Sequence, residues 1–220
     1  MRPAQRVVAP LFGISVGLLI LLAGPLLLFN PWFVSSLQSR HAVAEAFDTS
    51  QAEIDRVTGE VLADLFVAGN FDVAIDGTPL LDADERSHMA DVSRLVRLLV
   101  VVSVGAALVA GLCGTLMRGQ PRRMGTVLLV TASGIGATGL LLGVVFAVAF
   151  EPAFLAFHAL FFPPGTYLFA PGSNLITLFP EAFWFEATII AGLTVVLSAV
   201  VVLVIGLAGR RRPPATLAAG

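Results

Sequence analysis

The chain has 220 residues, of which 57% are hydrophobic and only 13% are charged, and its formal net charge is −2 at pH 7. Soluble domains carry about 25% charged residues, so this composition excludes an ordinary soluble globular protein.

Four stretches are long and apolar enough to cross the hydrocarbon core of a bilayer, which takes about 20 residues. The first follows Arg2 and Arg6 and resembles a signal peptide, but its apolar run is too long for a typical h-region. We therefore expect an all-α fold, a four-helix transmembrane bundle that forms a single integral membrane domain over residues 1–220. The predicted spans cover about residues 7–29, 98–117, 125–150 and 183–208.

Arginine placement predicts the orientation of the spans. Segments that contain arginine but no acidic residue remain in the cytoplasm by the positive-inside rule. Such segments precede the first span, connect the second to the third and follow the fourth. We therefore expect both termini in the cytoplasm and two loops outside, residues 30–97 and 151–182. The arginines concerned are Arg2, Arg6, Arg118, Arg122, Arg123, Arg210, Arg211 and Arg212.

The first outer loop is too long to be bare coil and contains a predicted amphipathic helix. Ser50-Gln51-Ala52-Glu53 matches a capping box, which is typical of a helix start. The pattern behind it predicts an extracytoplasmic helix that lies on the membrane or on the bundle and ends at Gly69-Asn70. The apolar residues that recur near helical spacing are Ile54, Val57, Val61, Leu65 and Phe66.

A second box-like cap, Asp82-Ala83-Asp84-Glu85, predicts the start of another helix. No Pro or Gly lies between Glu85 and Val104, so we expect this helix to run through His88 into the second span. His88 would then lie on a rigid element outside the hydrocarbon.

The second outer loop is aromatic and rich in turns. Pro163-Pro164-Gly165 and Pro171-Gly172-Ser173 are typical turn sequences. Because Trp and Tyr prefer the membrane interface, we expect this loop to reach into the outer headgroup region. Its aromatic residues are Phe154, Phe157, Phe161, Phe162, Tyr167, Phe169 and Phe179.

All three histidines of the chain belong to the predicted outer side. Glu85 and Asp91 stand three residues before and after His88, a spacing that makes side chains neighbours on a helix. A carboxylate beside an imidazole can fix its tautomer and raise its basicity, although a solvated charged face at a helix start is the alternative. His158, among phenylalanines, is either an interfacial residue or a second functional imidazole. We assign no function to His41.

Competing chemistries lack the residues that they need. The HExxH spacing of zinc enzymes is absent, and Glu85-x-x-His88 has no second copy to build a di-iron site. The spans contain no histidine for haem, so we expect no metal and no cofactor. Cys113 is the one cysteine and is predicted near the cytoplasmic side. The sequence thus favours histidine as acid or base, with a nucleophile that the substrate supplies.

Three segments together carry a family resemblance: His88-Met89-Ala90-Asp91-Val92, Phe157-His158-Ala159-Leu160-Phe161-Phe162 and Leu175-Ile176-Thr177-Leu178-Phe179-Pro180-Glu181-Ala182-Phe183. The chain resembles the four-span bacterial membrane proteins that include the lipoprotein intramolecular transacylases. The resemblance implies a membrane acyltransferase in the bacterial cytoplasmic membrane. Such an enzyme moves the sn-2 acyl chain of a diacylglyceryl-cysteine lipoprotein to its own N-terminal amine and produces the lyso-form.

The resemblance also implies roles for individual residues. His88 and His158 match the two motif histidines and are expected to be catalytic, with Glu85 and Asp91 around them. Tyr167 stands where a tryptophan is expected and is a candidate oxyanion donor. The expected partners are a diacylated lipoprotein and membrane lipid, with no nucleic acid. The alternative is a non-catalytic membrane protein that binds lipid or a partner through its outer loops.

Overall fold

The computed structural model describes residues 3–211 and the side chains of residues 7–211. Arg2 and Arg212, on which part of the predicted orientation depends, lie outside the described residues, as does the side chain of Arg6. Helices dominate the described chain, which confirms the predicted all-α class. They are α1 (Pro3–Leu26), α2 (Pro31–Arg40), α3 (Val43–Ala46), α4 (Gln51–Val67), α5 (Ala83–Leu116), α6 (Pro121–Val148), α7 (Phe150–Phe161), α8 (Asn174–Leu178) and α9 (Glu181–Arg211).

Two minor elements interrupt the helices. A short 3-10 helix, Leu27–Phe29, follows α1. Two strands of two residues each, β1 (Ala74–Ile75) and β2 (Thr78–Pro79), pair antiparallel, with Ala74 opposite Pro79. They form a small hairpin between α4 and α5 rather than a sheet with a core of its own.

Among the described residues, four helices are long and apolar enough to cross a membrane, as the sequence predicts. They are α5, α6, α9 and the stretch Val7–Phe29, which includes most of α1. At a rise of about 1.5 Å per residue, the 34 residues of α5 extend well beyond a hydrocarbon core about 30 Å thick. The polar first part of α5, which contains His88, is therefore an extension of the span.

The third predicted span ends too late, and the cause is Pro152. A proline lacks the N–H that would bond to the carbonyl of residue 148, and its ring clashes with that carbonyl. Accordingly, α6 ends at Val148, and α7 begins at Phe150 after Ala149, whose φ of −142° is not helical. The second outer loop, predicted as loop and turn, thus contains the additional helices α7 and α8.

The chain divides into two compact units. Unit 1 consists of Met1–Gly24, Val101–Leu142 and Ala191–Gly220, and unit 2 consists of Pro25–Val100 and Gly143–Ile190. A single integral membrane domain over residues 1–220 stays a prediction.

Unit 2 contains the predicted amphipathic helix, α4. Ser50 caps it through its Oγ, which accepts a hydrogen bond from the Glu53 N–H at 3.2 Å. Phe66, predicted on the apolar face, is exposed, because the buried face of α4 is narrower than the sequence pattern indicates. The buried residues of α4 include Ile54, Val57, Val61 and Leu65, which pack in the unit 2 core with Leu37, Phe71, Leu178 and Phe183.

Unit 1 consists of the apolar parts of α1, α5, α6 and α9, and small residues let its helices approach closely. A Cβ atom added at Gly125 of α6 would lie only 2.5 Å from the Gly206 carbonyl oxygen of α9 and 2.7 Å from the backbone nitrogen of Arg210. Such small-residue contacts are the usual way in which helices associate in lipid, because lipid provides no hydrophobic drive between them.

We expect Gly125→Ala to destabilise the protein because the new methyl group would meet backbone that cannot rotate away. Overpacking of this kind costs about 1–3 kcal/mol, and each kcal/mol corresponds to about 2–4 °C in Tm for a chain of this size. The measurement is thermal unfolding of the purified protein in detergent. Gly134→Ala, on the same helix, is the matched control, because the structure places no described atom within 4 Å of its added Cβ. Equal Tm values for the two variants would contradict the close contact.

Candidate active site

The first turn of α5 determines where His88 lies. The Asp82 carboxylate accepts a hydrogen bond from the Glu85 N–H at 2.8 Å, and the Glu85 carboxylate accepts one from the Asp82 N–H at 2.9 Å. This reciprocal capping box satisfies two backbone donors at the helix start, as predicted. His88 follows one turn later on the same helix and is only 6% exposed.

The His88 ring contains an unsatisfied polar atom. Its Nδ1 is buried and has no hydrogen-bond partner among the described residues. Leaving a buried polar atom unpaired costs about 1–3 kcal/mol, and native proteins retain few such atoms without a functional reason. His88 is therefore a strong candidate for a residue that meets a substrate.

The short helix α7 positions His158. The His158 Nδ1 lies 2.8 Å from the Phe154 carbonyl oxygen, one turn earlier. Because a carbonyl oxygen can only accept a hydrogen bond, Nδ1 must carry the hydrogen. The neutral ring consequently has its lone pair on Nε2, which is the arrangement of a general base.

The two imidazoles face one another in unit 2. The ring centroids of His88 and His158 lie 6.0 Å apart, with an interplanar angle of 26°. The sequence predicts only that both histidines lie on one side of the membrane, whereas the structure stacks their rings. Among residues 3–211, no group of three His, Cys, Asp or Glu side chains is placed to hold a metal ion.

Aromatic side chains surround the pair. Phe162 lies 4.9 Å from the His88 ring and 5.4 Å from the His158 ring, measured between centroids. Phe169 lies 5.5 Å from His88, and Tyr167 lies 5.3 Å from His158. The predicted oxyanion donor is thus beside the pair, although its role there stays a prediction. Phe154 and Phe157 add two further rings beside His158.

Burial lowers the pKa of His158 below the ordinary histidine value of 6.5, and the hydrogen bond to the Phe154 carbonyl opposes this shift in part. Apolar surroundings disfavour the charged imidazolium, whereas the carbonyl dipole favours it. His158 is therefore neutral at pH 7 and able to accept a proton.

The two acidic residues predicted beside His88 form other contacts. Both carboxylate oxygens of Glu85 accept backbone hydrogen bonds, from Asp82 and, at 2.8 Å, from the Leu175 N–H. Asp91 forms an ion pair with Arg94, three residues further along α5. Neither carboxylate has a described hydrogen bond to the His88 ring, whose Nδ1 is unpaired, so the structure does not show the expected orientation of that ring by a carboxylate.

His41, to which the sequence assigns no function, has a partner that sequence reasoning missed. Its Nε2 lies 3.0 Å from a carboxylate oxygen of Glu186, whose other oxygen lies 2.5 Å from the Arg40 guanidinium. The signal in the sequence is Glu186 itself, because an acidic residue in an apolar span requires a partner. This cluster connects the end of α2 to α9.

A family model described as "Lipoprotein intramolecular transacylase Lit" matches residues 10–184 of the chain. Among curated proteins, none matches. The fold is similar to a solved structure of the membrane-integral lipoprotein intramolecular transacylase Lit from Bacillus cereus, with a TM-score of 0.81 at 18% identity over 95% of this chain and 97% of that one. A variant of the Bacillus cereus protein, with one histidine replaced by arginine, aligns with a TM-score of 0.75 at 17% identity over 94% and 92% of the two chains.

The solved structures establish the fold, and the family model covers most of the sequence, including His88 and His158. The chain therefore belongs to the lipoprotein intramolecular transacylase Lit family.

Proposed function

We propose that His88 and His158 carry out the proton transfers of an intramolecular O-to-N acyl transfer. As a member of its family, the chain is a membrane acyltransferase, a lipoprotein transacylase. The observation that supports the proposal most strongly is the stacked imidazole pair, in which His158 is held as the tautomer with a free Nε2 lone pair. Such a base can accept a proton from an amine of the substrate, so the protein itself need not supply the nucleophile.

The substrate would be a lipoprotein whose N-terminal cysteine carries a diacylglyceryl group on sulfur. Its α-amine nitrogen forms a bond to the carbonyl carbon of the sn-2 ester, and the bond from that carbon to the glyceryl oxygen breaks. His158 Nε2 accepts the proton that the amine loses. The proton then reaches the glyceryl oxygen, directly or through His88. Nothing is oxidised or reduced, and the product is the N-acyl lyso-form.

The protein contributes geometry as well as proton transfer. Attack of the amine on an ester of the same molecule closes a medium-sized ring, which a flexible lipid rarely does unaided. Holding reactants in a productive arrangement can lower the barrier by about 7–11 kcal/mol. Tyr167, beside His158, is our candidate donor to the oxyanion of the tetrahedral intermediate. Phe162 and Phe169 would pack against the lipid part of the substrate.

We also propose the location of the site. The chain would lie in the bacterial cytoplasmic membrane, with both termini in the cytoplasm and the histidine pair outside. Arg118 follows the end of α5, whereas His88 lies near its start, so one crossing separates them along the chain. Arg210 and Arg211 end α9, which agrees with cytoplasmic arginine-containing segments. The partners would be membrane lipid and a diacylated lipoprotein, with no nucleic acid.

We expect His88→Ala and His158→Ala each to abolish acyl transfer while leaving the protein folded. General acid–base catalysis contributes about 10²–10⁴-fold, so either variant should lose at least about 100-fold in rate. The measurement is mass spectrometry of one lipoprotein's N-terminal peptide, from a bacterium that lacks its own lipoprotein N-acylation. His41→Ala, a histidine of unit 2 paired with Glu186, is the matched control and should retain activity. Full activity in either test variant would refute the proposed mechanism.

The pH dependence should reflect the lowered pKa of His158. A base with a pKa below 6.5 stays unprotonated until the pH falls below 6.5, whereas the substrate's α-amine has a pKa of about 7.7–8.0. Between about pH 7.5 and 6.5, the logarithm of kcat/KM should therefore fall with a slope of one, because only the amine gains a proton. The slope should steepen to two only at lower pH. A slope of two already at pH 7 would show that the base has a raised pKa.

Accessible cysteines test the proposed orientation. Starting from Cys113→Ala, we would compare Thr78→Cys, in the exposed strand β2, with Gly119→Cys, in the connection between α5 and α6. We expect a membrane-impermeant maleimide to label position 78 on intact cells without an outer membrane, and position 119 only after lysis. Labelling in the opposite order would reverse the proposed topology.

A further inference from the structure

We propose that Glu85 is a positioning residue that holds residues 162–173, which we name the aromatic loop, against the two imidazoles. The inference rests on the proposed role of His88 and His158. It assigns Glu85 a task different from the one that its spacing suggests, because its carboxylate acts on the loop rather than on the His88 ring.

The aromatic loop supplies three of the rings around the histidine pair. Phe162 contacts both imidazoles, Tyr167 lies beside His158, and Phe169 lies beside His88. Any displacement of this loop would therefore open the site on one side and move the candidate oxyanion donor.

The hydrogen bonds within the aromatic loop are local turns. The Thr166 N–H and hydroxyl both donate to the Pro163 carbonyl, at 3.3 and 2.9 Å, and the Ser173 N–H donates to the Ala170 carbonyl at 3.0 Å. Turns of this kind shape a loop but do not attach it to its surroundings. Its position depends on the packing of Phe162 and Phe169, which are buried and packed against the core respectively, and on the elements at its two ends, α7 and α8.

Two hydrogen bonds attach the start of α8 to the first turn of α5 and to the segment just before it. The Leu175 N–H donates to Glu85 Oε1 at 2.8 Å, and the Asn174 side-chain amide donates to the Leu80 carbonyl at 2.6 Å. Glu85 is 1% exposed, so water does not compete for its oxygens. A hydrogen bond is electrostatically stronger in such buried surroundings than in water.

The same carboxylate closes the capping box of α5 through the Asp82 N–H. One side chain therefore joins the helix that carries His88 to the end of the loop that carries Tyr167 and Phe169. Glutamine cannot reproduce both contacts, because one of its terminal atoms is an NH₂ group that would face a backbone N–H. Glu85→Gln is thus a nearly isosteric way to break one contact.

The C-terminal end of α8 provides a control for the loss of a buried hydrogen bond. Gln38 is buried and donates to the Leu178 carbonyl at 3.1 Å, while the Thr58 hydroxyl donates to Gln38 Oε1 at 3.0 Å. Thr58→Val removes one buried hydrogen bond at nearly constant shape. It weakens the attachment of α8 on the side that leads to α9, away from the aromatic loop.

The experiment compares Glu85→Gln with Thr58→Val by steady-state kinetics and by fluorine NMR. The chain contains one tyrosine, so 3-fluorotyrosine would give a single resonance from Tyr167. We expect kcat to fall about 10- to 100-fold in Glu85→Gln with KM little changed, since a displacement of about 1 Å can cost about 100-fold. We also expect the fluorine resonance to shift or split. Thr58→Val should lose thermal stability but keep both kcat and the wild-type resonance.

Two results would overturn the inference: an unchanged resonance and kcat in Glu85→Gln, or equal changes in both variants. The second result would mean that Glu85 contributes only to stability. If Glu85→Gln does not fold, Glu85→Asp decides, because the shorter side chain keeps the acidic group but withdraws it from the Leu175 N–H. A wild-type resonance and kcat in Glu85→Asp would then refute the proposal.

The fluorine signal separates this inference from the proposed function. It reports where Tyr167 lies whether or not the histidines are catalytic. Activity that survives His88→Ala and His158→Ala would remove the proposed chemistry, yet a shifted resonance in Glu85→Gln would still show that Glu85 positions the loop.

Discussion

The geometry of the site depends first on one buried carboxylate. Glu85 accepts two backbone hydrogen bonds, one within the first turn of α5 and one from the start of α8. An acidic side chain is stable in such a place only when its oxygens are satisfied. The first contact determines where α5 begins and hence where His88 lies. Because α5 continues without a break to Leu116, the helix that anchors the protein in lipid also positions the first imidazole.

A proline has the corresponding effect on the second imidazole. Pro152 ends α6 at Val148 and lets α7 begin as a separate element. Within α7, the Phe154 carbonyl lies one turn before His158, at hydrogen-bond distance from Nδ1. This hydrogen bond determines which nitrogen carries the proton. The two imidazoles are thus positioned by the helices that carry them, α5 and α7.

Local patterns in the sequence predicted the all-α membrane fold, the number of candidate spans, α4 and the capping box of α5 correctly, because these features depend on neighbouring residues. The family and the transacylase activity were recognised from three segments and are confirmed by the family match. Contacts between distant residues were missed. Leu175 lies 90 residues from Glu85, and Glu186 lies 145 residues from His41. No spacing rule indicates such distant partners. The three-residue spacing of Glu85 and Asp91 from His88, by contrast, suggests a hydrogen bond to the imidazole that the structure does not show.

The aromatic rings around the imidazoles would favour acyl transfer over hydrolysis at such a site. An ester held beside a general base would react with water if water could reach it. Phe162 and Phe169 lie against His88, and exclusion of water from a site suppresses such side reactions. The amine of the same lipoprotein is already tethered to the ester, so it needs no diffusional encounter. Neutral imidazoles suit these surroundings better than carboxylates would, because a neutral base can enter an apolar site without the large desolvation penalty of a permanent charge.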